Sequence, residues 1–415
     1  MSVPTHTANG LRRVVVTGMG LVSCLGNTLD GVSARLREGR SGVTHIDAWR
    51  ERGFATQVAG VASVAGEPLF ERKLERFMGD TARFACHAVR SALDDAGLDP
   101  AALHSPQAGA VIGSGVGTMS AYDVAMDIAR ARGIDRVPPY IVPQAMGSTA
   151  SANVAHVFGM EGTTYSPSSA CTTSALAIGQ ALQLIQTGRQ QIVLAGGSEA
   201  LHDNMTLMFD AMGALSRRFN DAPEHASRPY DTARDGFVMA SGAGVLLLES
   251  LEHALARGAR IQAELTGFGH CTDGADMVAP RAPGIARAIR ETLAEARTRP
   301  GYINTHAPST PRGDLEELHA LVDVFGHDMP AFSSTKGLTG HPLGACGAHE
   351  AIYTLLMMRD GFMAGTPGIE TLDAAVAGLP LVRQSRAARI DTALSVSFGF
   401  GGSCAGLMFS AWKDA

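Results

Sequence analysis

The segment Ser168-Ser169-Ala170-Cys171-Thr172-Thr173-Ser174 places small residues ahead of the amphipathic run ALAIGQALQLIQ, which puts Cys171 at or just before a helix N-terminus. Free N–H groups and the helix dipole favour a thiolate there, and the same N–H groups can hold a developing oxyanion. A buried, inert cysteine in a close-packed turn carries the same signature. A second candidate is Asn304-Thr305-His306-Ala307-Pro308-Ser309-Thr310-Pro311, between an expected strand and an expected helix from Gly313. A third is Ser334-Thr335-Lys336-Gly337-Leu338-Thr339-Gly340-His341-Pro342-Leu343-Gly344, with a lysine and a histidine in a glycine-rich turn entering a helix. Either histidine alone fits a hydrogen-bonded structural residue. One cysteine with two loop histidines is more specific, because a nucleophile and its acid/base partners usually meet from distant segments. A fourth segment, Ser397-Phe398-Gly399-Phe400-Gly401-Gly402, lets a backbone N–H approach a ligand beside two rings able to gate a pocket, or forms a tight turn with packed rings.

These segments need a scaffold, and short apolar runs ending in glycine supply its strands. Val14–Val16 leads into TGMG, Gly109–Ile112 into GSGVG and Ile192–Ala195 into GGSE. Their β-branched content and length predict buried strands. Helical patterns cover Thr81–Gly97, Ser174–Gly188 and His349–Asp360, so the alternation predicts an α/β layered fold. Val15-Val16-Thr17-Gly18-Met19-Gly20 is echoed by Glu264-Leu265-Thr266-Gly267-Phe268-Gly269, which suggests two similar halves, 1–258 and 259–415. Ser216–Gly236 is polar and turn-rich, and long excursions of this kind in compact domains are often functional.

At 415 residues and 45% hydrophobic content the chain exceeds a single ordinary core, which agrees with a duplicated fold. A net charge of −6 argues against a nucleic-acid binder. Six scattered cysteines show neither zinc-type spacing nor a disulfide framework, so no metal is expected. The opening MSVPTHTANGLRRVVV has no secretory pattern, and no apolar run reaches membrane-spanning length, so a cytoplasmic protein is expected. The dinucleotide fingerprint, P-loop and H-E-x-x-H motifs are missing.

Together, RRVVVTGMGLVS, YSPSSACTTSALAIG, FDAMGALS, RDGFVMASGAG, LEHALARGA, TDGADMVAP and SFGFGG resemble the type I/II β-ketoacyl-[acyl-carrier-protein] synthases, closest to type I. The resemblance spans nearly the whole chain and implies the thiolase fold, a five-layer αβαβα arrangement of two similar halves. It implies decarboxylative Claisen condensation of an acyl-enzyme thioester with malonyl-acyl carrier protein, giving 3-oxoacyl-acyl carrier protein in fatty-acid chain elongation. Cys171 would be the acylated nucleophile, and His306 and His341 would donate to the malonyl thioester oxygen. Lys336 would supply fixed charge with Glu350 as its carboxylate partner and Asn304 as support. The N–H groups of Cys171 and Phe400 would form the oxyanion hole, with Phe400 as gate. Thr310 would bind pantetheine, and Val116, Phe209, Phe237 and Phe398 would line the substrate pocket. The implied chemistry needs no redox cofactor and no metal, since its substrates carry phosphopantetheine. It leaves room for a structural monovalent cation. The implied partners are an acyl carrier protein, acyl and malonyl thioesters and a second copy of the chain, with no nucleic acid and no membrane.

Several positions depart from the family pattern. The usual Gly-Thr-Ser-Thr after the first histidine is Ala307-Pro308-Ser309-Thr310, and Pro308 offers neither hydroxyl nor N–H to pantetheine. Val396 and Cys404 replace two asparagines that normally brace the active-site loop. Cys404 also raises the reading of a thiolase with a second catalytic cysteine. Because carrier proteins of this pathway are acidic, Arg72, Lys73 and Arg76 with Arg130, Arg132 and Arg136 are expected to form a basic dock, or else two solvated helix faces. Two further readings stay open: a ketosynthase for a specialised polyene or polyketide, and a non-condensing subunit that binds acyl carrier.

Overall fold

Strand β1 (Val14–Val22) is buried along its whole length, with the TGMG glycines inside it rather than after it. The expectation that this run ends in a glycine turn is therefore corrected. The physical reason is a close approach: a methyl on Gly20 would sit 1.9 Å from the Ala88 carbonyl oxygen of helix α1 (Asp80–Ala96). The echo at β6 (Ala263–Thr272) repeats the device. A methyl on Gly269 would lie 2.3 Å from the Ala288 carbonyl oxygen of α4 (Ala282–Ala296). Both strands also carry a register shift one residue before the first glycine of the motif, at Thr17 and at Thr266. The T-G-x-G echo thus marks two places where a helix lies directly on a bulged strand.

The structure, a computed structural model, describes residues 3–64, 66 and 70–413. The first two residues of the opening segment, which was read for targeting signals, lie outside them. Beyond β1, the first part of the chain forms β2 (Ala108–Gly113), α2 (Thr149–Phe158), β3 (Thr164–Tyr165), α3 (Thr173–Gln186), β4 (Ile192–Glu199) and β5 (Gly242–Ser250). The second part forms, after β6 and α4, β7 (Tyr302–Asn304), α5 (Gly313–Phe325), β8 (Ala331–Ser333), α6 (Cys346–Asp360), β9 (Thr392–Gly399) and β10 (Ser403–Ala411). The ten strands share one sheet in the order β3-β2-β4-β5-β1-β6-β10-β9-β7-β8. Each strand of the first part has its counterpart five strands later. In both parts the three outer strands pair parallel, and the two strands nearest the junction pair antiparallel.

Only two residue pairs, Val15 with Glu264 and Val16 with Ala263, join the parts at β1 and β6. Their two five-stranded regions enclose α3 and α6, with α1 and α2 outside one region and α4 and α5 outside the other. This is the five-layer thiolase arrangement. The central pair is deeply buried: α6 buries every residue from Cys346 to Met357, His349, Glu350 and Thr354 included. A helix buried all round has no solvent face to spare, which explains why its pattern is not amphipathic. Both buried helices begin at the same end of the molecule, and there the candidate residues gather.

Candidate active site

Cys171 sits in a 3₁₀ turn, Ala170–Thr172, that runs into α3. Ala170 holds φ at 47°, Ser309 at 79° and Leu343 at 40°. Non-glycine residues rarely adopt this region, at a cost of about 1–3 kcal/mol each, and such residues concentrate at functional sites. All three lie within two residues of a sequence-predicted site residue. Gly399, at the end of β9, lies against the start of α3, and a methyl on it would be 2.9 Å from the Cys171 nitrogen. That closeness sets the Phe400–Gly402 turn against the turn that carries Cys171. The expected thiolate is not favoured. Burial pushes the Cys171 thiol up to about 12, although the Lys336 charge opposes it.

The two histidines converge on this sulfur. His341 Nε2 lies 2.9 Å from Cys171 Sγ, while His341 Nδ1 has no hydrogen-bond partner among the described residues. The His306 and His341 rings meet edge-on with centroids 5.2 Å apart. Burial first, then the Lys336 charge, holds both imidazoles well below the usual histidine range, so both are neutral at physiological pH. Lys336 is fully buried and spends its three N–H bonds on the His306 carbonyl (2.7 Å), His306 Nδ1 (3.3 Å) and Glu350 Oε1. Burial alone would lower its pKa, but Glu350 keeps it charged. An ammonium donating to Nδ1 leaves the proton of neutral His306 on Nε2. Asn304 supports Glu350 from β7, donating to the Glu350 carbonyl (3.3 Å) and to Thr354 Oγ1 (3.2 Å).

An apolar cavity of about 430 Å³ opens onto Cys171, His306 and His341. Val116, Phe209, Phe237, Phe398, Phe400 and Thr310 all line it, and so does Pro308. Phe209 touches both Phe237 and Phe400, with centroids 5.4 and 6.2 Å apart, so the Phe400 ring rests on the pocket wall. Val396 is buried inside β9. Cys404 lies in β10 with the outer core and outside the cavity lining, which removes the reading of a second catalytic cysteine.

Two carboxylates here were not anticipated. Glu317 on α5 accepts the N–H groups of His306 (2.8 Å) and Ala307 (2.7 Å), and so anchors the His306 loop. Glu199, ending β4, accepts from Gly115 N–H, Ser114 Oγ and Gly344 N–H at 2.8, 2.8 and 3.0 Å, tying the Val116 loop to the His341 turn. Burial raises the pKa of both. A charged residue closing a buried apolar run signals Glu199 in GGSE, whereas nothing in the spacing singles out Glu317. The Ser216–Gly236 excursion does act on the site: buried Arg234 donates to the Thr310 (3.1 Å) and Pro311 (2.9 Å) carbonyls, and the Tyr230 hydroxyl to Thr305.

Cys171, His306 and His341 bring donor atoms within 4.8 Å of one another, as do His306, Cys346 and Glu350. The second group surrounds the Lys336 ammonium, whose charge opposes a cation there. The first consists of three side chains that line the cavity.

Family models match the β-ketoacyl synthase N-terminal domain over residues 11–254 and the C-terminal domain over residues 262–370. The chain belongs to the β-ketoacyl synthase family. It is 46% identical over 405 residues to 3-oxoacyl-[acyl-carrier-protein] synthase 1 of Haemophilus influenzae, covering 97% of this chain and all of that one. Against the enzyme of the same name from Escherichia coli K12 the identity is 47% over 406 residues, with the same coverage. A solved β-ketoacyl synthase from Burkholderia phymatum superposes with a TM-score of 0.92 at 36% identity, over 97% of this chain and all of that one. The gap between the two family matches falls between β5 and β6, where one half of this synthase passes to the other.

Proposed function

We propose that this synthase performs decarboxylative condensation of an acyl thioester with malonyl-acyl carrier protein, extending the chain by two carbons. The observation that carries the proposal is the meeting of Cys171 Sγ with two neutral imidazoles in an apolar cavity, one of them with its Nε2–H fixed by Lys336. Cys171 attacks the acyl thioester carbonyl, and the thiol proton leaves with the pantetheine sulfur. The tetrahedral oxyanion is held by the N–H groups of Cys171 and Phe400. Malonyl thioester then enters, and its carboxylate leaves as carbon dioxide. The bonding pair passes into an enolate whose oxygen is held by His306 and His341. The enolate carbon attacks the acyl carbon on Cys171, and collapse of this second oxyanion frees the sulfur. Neither anion requires a metal or redox cofactor. Thr310 positions pantetheine beside Pro308, and Phe209, Phe237, Phe398 and Val116 shape the acyl site.

Mass spectrometry after incubation with an acyl carrier tests this: an acyl adduct on Cys171 and carbon dioxide release from malonyl carrier are expected. Neither event occurring would leave only the non-condensing subunit.

The carrier docks on the basic segments. Arg72 and Lys73 lie on an exposed turn of helix, and Arg76 donates to the Tyr140 hydroxyl at 3.4 Å, so this turn adjoins the segment carrying Arg130, Arg132 and Arg136. Reversing charge at Arg72 and Lys73 should raise KM for acyl carrier roughly tenfold with kcat kept, as two exposed ion pairs of up to about 1 kcal/mol each allow. An unchanged KM at low salt would refute this dock. A second copy of the chain covers the exposed apolar stretch of Tyr122, Val124, Met126, Ile134 and Val142. No helix among the described residues is long and apolar enough to cross a membrane. Free cysteines at all six positions support a reducing compartment, the cytoplasm.

A further inference from the structure

Cys404 has no part in the condensation, but it is not isolated. In the register of β10 against β6 it lies directly opposite Cys271. On its other side, in the register of β10 against β9, it faces Phe398. Directly opposed residues on neighbouring strands project from the same face. Phe398, Cys404 and Cys271 therefore form a row across three strands, all within the outer core over α4. The row reaches the active site, because the Phe398 ring meets the His306 ring with centroids 5.7 Å apart.

The pair has the geometry of a dithiol. Opposed residues in an antiparallel ladder hold their Cα atoms about 4.5 or 5.5 Å apart, inside the roughly 4.4–6.8 Å that a disulfide spans. The register sets the two residues side by side, and Cys404 Sγ donates to the Gly402 carbonyl at 3.5 Å. The Cys404 thiol is raised first by burial and then by Cys271, as a like charge and as a hydrogen-bond partner. The two differ in access: Cys404 is fully buried, whereas Cys271 is partly exposed, donates to the Gly284 carbonyl at 3.2 Å and has the Arg287 guanidinium beside it. An accessible thiol beside a cation, backed by a buried second thiol, suits attack by one and resolution by the other. The pair also borders the gate. Cys404 follows the Phe400–Gly402 turn by two residues, and Asp273, two residues after Cys271, donates its N–H to the Gly402 carbonyl at 2.9 Å.

We propose that Cys271 and Cys404 form a reversible dithiol–disulfide couple that acts on the active site through Phe398 and the Phe400 turn. With a small-molecule disulfide such as oxidised glutathione as oxidant, the Cys271 thiolate attacks one sulfur, and one reduced glutathione leaves. Cys404 then displaces the second glutathione, closing the Cys271–Cys404 bond. Two protein thiols are oxidised, and one glutathione disulfide is reduced to two thiols. Closure draws Cys404 toward β6 and away from Phe398, loosening the contact that backs His306. The coupling, though not the bond itself, rests on the condensation proposed above.

The bond is tested in a Cys171→Ser background, where the pocket thiol cannot confuse the result. After oxidised glutathione, the chain should be lighter by two hydrogens, and peptide mapping should join the Cys271 and Cys404 peptides. The link should be lost in Cys271→Ser and reversed by dithiothreitol. A stable glutathione adduct at Cys271, or no reaction, overturns the couple whatever the enzyme's activity. The coupling is then read in the otherwise native chain, comparing each protein with its own reduced form. Malonyl-carrier decarboxylation should fall by a factor of about 2–30 on oxidation and recover on reduction. Cys404→Ser should hold its rate through the same treatment. An equal loss in Cys404→Ser would assign the effect to Cys171, and linked chains with unchanged rate would leave the gate uncoupled; either result overturns the coupling.

Discussion

Replacing His306 with alanine is expected to lower malonyl-carrier decarboxylation about 10²–10³-fold, the usual cost of one fixed donor at a developing oxyanion. Acyl transfer to Cys171 should stay within a few-fold of the native rate. The split follows from geometry. His306 meets the cavity with an Nε2–H fixed by Lys336, but the group within reach of the sulfur is His341, at 2.9 Å. The two half-reactions use different oxyanions, and only the enolate depends on His306. His341→Ala should impair both steps. His306→Asn, which offers an amide N–H near the same place, should recover part of the lost decarboxylation. Stopped-flow acylation followed by intact mass, beside carbon dioxide release, separates the steps. Equal loss of acylation and decarboxylation in His306→Ala would mean that His306 serves the nucleophile, and the division of roles would fail.

Much of this site was legible because its residues sit where the backbone changes character. Cys171, His306 and His341 each lie at a junction between an apolar run and a glycine- or proline-marked turn, and junctions are visible in sequence. The duplication was legible for the same reason. A strand on which a helix lies directly must carry glycine, so the T-G-x-G echo survives in both halves. The bracing was much less visible. Glu317 belongs to an ordinary helical pattern, and its importance lies only in the two N–H groups that α5 happens to reach. Glycines inside β1 look like strand ends in the sequence, because a close approach across layers leaves the same letters as a turn. The Cys171 thiol differs from the thiolate that a helix N-terminus favours, because that terminus is a local feature, whereas burial at the seam of two halves is a property of the assembled fold.

Lys336 and Glu350 should show the largest stability effects. Both side chains are within 2% of complete burial, and they bond directly. Removing one partner of a buried pair strands the other charge, at a cost of about 3–5 kcal/mol. Lys336→Met leaves Glu350 without its cation, and burial already raises the pKa of this carboxyl despite Lys336. A carboxyl whose folded pKa stands above its unfolded value of about 4.3 gives stability that is fully present below that value and is lost as pH rises through the folded pKa. The native carboxyl is itself raised to about 7, so the two proteins lose stability in step below that pH, and the denaturant midpoint of Lys336→Met should fall further behind the native chain as pH is raised from about 7 to about 9. The double replacement Lys336→Met with Glu350→Met removes both charges and should regain most of the stability, since apolar substitutes for a buried pair are often neutral or better. It should not regain decarboxylation, because nothing would then donate to His306 Nδ1 and hold the proton on Nε2. A double variant as unstable as the single ones would show that the pair's shape, rather than its charge balance, is what the core requires. A double variant with native decarboxylation would show that His306 keeps its tautomer without the lysine.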